Sequence, residues 1–151
     1  MTAEPYPNTT PQDQFRDDVL PPYEAYKSDM GCEWKARAAA AAVAHFTEHV
    51  WVYYDRHDRS QLHGARTPED YVDYLANQCS ELKILWDFAL SIKHRILTQN
   101  PEDRIVTSAT DALEPNDGRQ LMRSCGRHFD NVLDKAVNYW RERLPTLRSY
   151  S

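Results

Sequence analysis

The sequence predicts an all-α protein, a single helical bundle built around one long central helix, and three observations carry that expectation. The stretch from Cys32 to about His57, CEWKARAAAAAVAHFTEHVWVYYDRH, contains neither Gly nor Pro and holds seven alanines between positions 36 and 44, a strong helix bias. Apolar residues recur at three- and four-residue spacing in SELKILWDFALSIKHRIL and again from about Gly126 to Leu144. Only four glycines in 151 residues argue against a many-hairpinned β architecture. One core suffices at this length, burying roughly two thirds of the surface that the unfolded chain exposes.

The elements follow in order. Five of the nine prolines lie in the first 22 residues, and MTAEPYPNTTP has little apolar material to hold it to a core, so residues 1–21 read as a proline-rich arm. Within that arm Thr10-Pro11 caps a short helix PQDQFRDDVL, with Phe15, Val19 and Leu20 on one side and a stop at Pro21-Pro22. A short turn PYEAYKSD ends before Gly31. In the long helix, Trp34, Ala38, Ala41 and Val52 form one apolar line and Val43, Phe46, Val50 and Tyr54 another, a distribution that places it at the centre of its bundle. The alanines let a neighbouring helix approach closely.

After the loop DRSQLHGAR, Thr67 is an N-cap, Pro68 sits at the first helical position, and Glu69 and Asp70 face the positive helix end. That helix breaks near Cys79-Ser80, where the next begins with the apolar stripe Leu82, Leu85, Phe88, Ala89, Ile92 and Ile96. RIVTSA and the turn Pro115-Asn116-Asp117-Gly118 predict a small β-hairpin near 104–123. In the last helix Phe129, Val132, Leu133, Ala136, Val137, Trp140 and Leu144 face inward, and Pro145 closes it. The organisation expected is therefore the arm, a bundle over 22–146, and a tail over 147–151.

A formal charge of -5, with 18 basic against 23 acidic residues, disfavours non-specific binding to nucleic acid, which needs a basic field. Thirteen arginines against five lysines read as coding bias rather than as a recognition surface. Cys32, Cys79 and Cys125 are odd in number and make no C-x-x-C pair, so reduced thiols and a cytoplasmic protein are expected. The N-terminal sequence lacks a basic and apolar leader pattern, and no apolar run reaches membrane-spanning length.

The densest chemistry lies in His45 to Gly64, HFTEHVWVYYDRHDRSQLHG, which holds four of the six histidines. His45 and His49, four apart, project from one helix face, as two-histidine metal ligation requires. Glu48 precedes the second histidine rather than following the first, which is not the zinc-protease order. Asp87 and His94, two helical turns apart, would complete a set of four ligands for a transition metal inside a bundle. Lys83 and Ser91 share their face, and a cation there opposes a second one. The blander reading makes His45 and His49 packing residues and Asp87 and His94 part of a solvated face, with no cofactor favoured.

Arg56 and His63, with six residues between them, satisfy the spacing of an R-x(4 to 6)-H ribonuclease motif, Arg holding a phosphate and His moving the proton of a ribose 2'-hydroxyl. Taken with EHVWVYYDR, the T-P-E-D-Y helix start and WDFALSIKHRIL, the pattern over about residues 30 to 145 resembles small uncharacterised bacterial helical proteins of a loosely HEPN-like kind. That resemblance implies a helical fold and carries no activity with it; the ribonuclease pair Arg56 and His63 rests on its spacing alone. Gly64 and the Thr67 cap put His63 in a loop, so the competing reading is a charged exit loop.

Cys125 and His128 are the one local Cys-His pair, without a third orienting group, and read as an apolar cysteine near a helix start. The aromatics around the histidine-rich loop, Trp51, Tyr53, Tyr54, Tyr71 and Tyr74, suit core packing or a self-associating face better than stacked bases in so acidic a chain. The functional expectation is an interaction or regulatory module, a homodimer through its aromatic and alanine-rich helices or a binder of another protein, with no membrane partner. A ribonuclease using Arg56 and His63 is the alternative, and a metalloprotein built on His45, His49, Asp87 and His94 the second.

Overall fold

A computed structural model describes residues 9–98 and 128–147, with side chains placed for 9–91 and 128–147. The expected hairpin near 104–123 and Cys125 lie outside these residues. The architecture is all-α, and no strand occurs among the described residues. Thr10 caps the first helix, its hydroxyl accepting from the Asp13 backbone at 3.1 Å, with Pro11 in the first turn. Helix α1 spans Pro11–Gln14, a π-turn follows over Phe15–Val19, and α2 spans Leu20–Lys27.

The helix therefore does not stop at Pro21-Pro22, as its sequence predicts. The Leu20 N–H reaches back to the Phe15 carbonyl, and this wider turn starts α2 afresh with the prolines in its first turn, where a missing N–H costs nothing. The second reason is burial. Phe15 packs edge-on against Phe46 with centroids 5.5 Å apart, and Val19 is fully enclosed, so these two side chains belong to the core.

Helix α3, Glu33–His57, touches α1, the π-turn, α2, α4 (Pro68–Ala76), α5 (Ser80–Thr98) and α6 (Phe129–Arg143). Its line Val43, Phe46, Val50 and Tyr54 is buried, with Phe46 edge-on to the fully buried Trp140 of α6 at 5.0 Å. Its other line is not covered. Trp34 is 63% exposed, Ala38 and Ala41 are exposed, and Val52 is half-buried. Central position and full enclosure are different properties, and α3 has only the first.

The predicted start of α4 is present as drawn from sequence. Thr67 accepts from the Asp70 N–H at 3.1 Å, while the Asp70 carboxylate accepts from the Arg66 N–H at 3.3 Å. The break before α5 falls at residues 77–79. Val132, Leu133, Ala136, Val137 and Trp140 form the inner face of α6. Tyr26 and Phe88 both pack against Phe129, at 5.2 and 5.7 Å, and the Tyr23 hydroxyl donates to Asp134 at 2.6 Å. Gln12 Nε2 donates to the carbonyls of Leu144 and Leu147 at 3.0 and 3.2 Å, joining α1 to the 3-10 turn Leu144–Thr146 and the residue after it.

Candidate functional site

The end of α3 and its exit loop are ordered by local bonds. Asp58 leaves the helix in an extended conformation and caps the 3-10 turn Arg59–Leu62, accepting from the Ser60 N–H at 3.1 Å and the Ser60 hydroxyl at 2.6 Å. Arg59 pairs with Asp55 one turn earlier. Leu62 and Ala65 are buried, and Trp51 Nε1 donates to the Ala65 carbonyl at 3.2 Å, so the loop is pinned on both sides.

His63 occupies the left-handed region, φ 52° and ψ 40°, and Gly64 follows at φ 84°. Left-handed backbone is uncommon outside glycine, and here two successive residues reverse the chain. The His63 ring stacks on Tyr74, centroids 4.4 Å apart and planes within 15°. Loop placement thus does not leave this imidazole unfixed. Arg56, in the last turn of α3, is exposed like His63.

His45 and His49 are brought together as their spacing requires, with ring centroids 4.2 Å apart. His45 is exposed and His49 half-buried, its Nδ1 against the carboxamide nitrogen of the buried Gln14. Burial pushes the His49 pKa below its ordinary value, the neighbouring His45 adds to that, and Glu48 and Asp18 oppose it. A neutral imidazole accepting from Gln14 fits this setting.

Asp87 is engaged elsewhere. Lys83 lies 3.1 Å from Asp73 and 3.6 Å from Asp87, clamping α5 to α4. The side chain of His94 lies outside the described residues. Among the described residues no group of three or more His, Cys, Asp or Glu is placed to hold a metal ion. His128, partner of Cys125 in the local pair, is exposed just ahead of α6.

Two features escape a reading of the sequence. The first is a polar cluster between α4 and α6. Tyr139 and Arg143 both donate to Gln78 Oε1, at 2.6 and 3.3 Å, and Gln78 Nε2 donates to the Tyr74 hydroxyl at 3.3 Å. The Tyr71 hydroxyl, inside a residue 1% exposed, faces the Arg143 guanidinium. Its burial raises the phenol pKa to about 12.

The second feature is an open apolar groove of about 210 Å³, lined by Trp34, Arg37, Ala38, Ala41 and Ala89. The Arg37 guanidinium lies over the Trp34 ring at 5.0 Å. Ala89 brings α5 to the wall of the groove, and Leu90 beside it is 45% exposed. The Trp34, Ala38 and Ala41 line is visible in the sequence, whereas the contribution of Ala89 depends on how α5 packs. No family model, curated protein or solved structure matches the chain. No helix of the described residues is long and apolar enough to cross a membrane.

Proposed function

We propose that this protein is a small helical interaction module that self-associates through the outer line of α3. One observation carries the reading: Trp34, 63% exposed, stands beside a groove floored by alanines, although every other tryptophan is at least half hidden. Large aromatic side chains left at the surface beside small residues are what a helical interface core uses. The two described cysteines, Cys32 and Cys79, are not joined in a disulfide, which suits a cytoplasmic setting. Sedimentation velocity over a hundredfold concentration range tests the reading. A dimer that dissociates on dilution supports it, and a monomer throughout refutes it.

The alternative, a ribonuclease using Arg56 and His63, draws support from one observation. The His63 ring is held by Tyr74 on a left-handed backbone, the kind of local strain that accumulates at functional positions. The reading requires Arg56 to bind the phosphate and the His63 imidazole to move the 2'-hydroxyl proton. The interaction reading ranks above it because no observation brings Arg56 and His63 together, whereas Trp34 and the alanines line one groove.

A further inference from the structure

We draw no further inference here: the strongest candidate, the apolar groove on the outer face of α3 beside Trp34, belongs to the self-association reading already given, and nothing in the structure shows what covers it.

Discussion

Replacing Trp34 by alanine separates a residue that builds the fold from one that meets a partner, and the structure sets the size of each effect. With 63% of Trp34 exposed, a little over a third of its surface is hidden within the subunit. Fully burying a tryptophan removes about 150–250 Å² from water, so the hidden part amounts to about 75 Å². At about 25 cal/mol per Å² this contributes roughly 1–2 kcal/mol, an upper figure because the unfolded chain also covers some of that surface.

Trp140 provides the contrast. It is 0% exposed and packs edge-on to Phe46, and its removal leaves a cavity as well as lost burial, costing about 3–5 kcal/mol. The assay is urea unfolding of the parent, Trp34→Ala and Trp140→Ala, each at a dilute and a concentrated protein level. In dilute solution Trp34→Ala is expected to lose no more than about 1–2 kcal/mol. At high concentration the parent gains stability by mass action and Trp34→Ala gains less. Equal losses for Trp34→Ala and Trp140→Ala in dilute solution would refute the division of labour between the two faces of α3.

Three further outcomes are expected. Tyr139→Phe loses the bond to Gln78 and should lower stability by about 1 kcal/mol; an unchanged thermal midpoint for that variant would show that the bond adds nothing. His49 has a lowered folded pKa, so the unfolded chain binds the extra proton first, and stability falls as pH drops through the unfolded value near 6.5 toward the lower folded one. Unfolding midpoints of the parent and His49→Gln between pH 7.5 and 5 check this, and identical pH slopes for the two would remove His49 as the cause. If the ribonuclease alternative holds, purified protein cleaves RNA and both Arg56→Ala and His63→Ala lose that cleavage by at least about a hundredfold; activity retained in both variants rejects that assignment.

Much of the helical plan was legible because its signals are local. Thr67-Pro68-Glu69-Asp70 sets the start of α4 through bonds within four residues, and the inward face of α6 follows from three- and four-residue spacing. The continuation of the N-terminal helical run into α2 at Pro21-Pro22 was not legible, since a proline pair reads as a stop unless the π-turn ahead of it is known. Burial of Phe15 against Phe46 and Val19 in the core favours that turn over a break, and those are contacts made at long range. Composition likewise identified two apolar lines on α3 without saying which one the bundle would cover.

At the candidate site, the proximity of His45 and His49 follows from helical spacing alone. Engagement of Asp87 by Lys83 combines a local partner with Asp73 on another helix, and only the local half is visible in the sequence. The stacking of His63 on Tyr74 depends on the reversal at His63-Gly64, whose left-handed backbone at a histidine has no strong sequence signal. The Tyr71 and Arg143 cluster joins residues from helices far apart in the chain, so no motif marks it.

The carboxamide of Gln12 ties α1 to carbonyls 132 and 135 residues away. During synthesis the first helix emerges long before these acceptors exist, whereas Phe15 needs only Phe46 of α3. Closure of this seam therefore belongs to the last stage of folding, when α6 and the turn after it arrive. Until then α1 rests on α3 without its bonds to the far end of the chain.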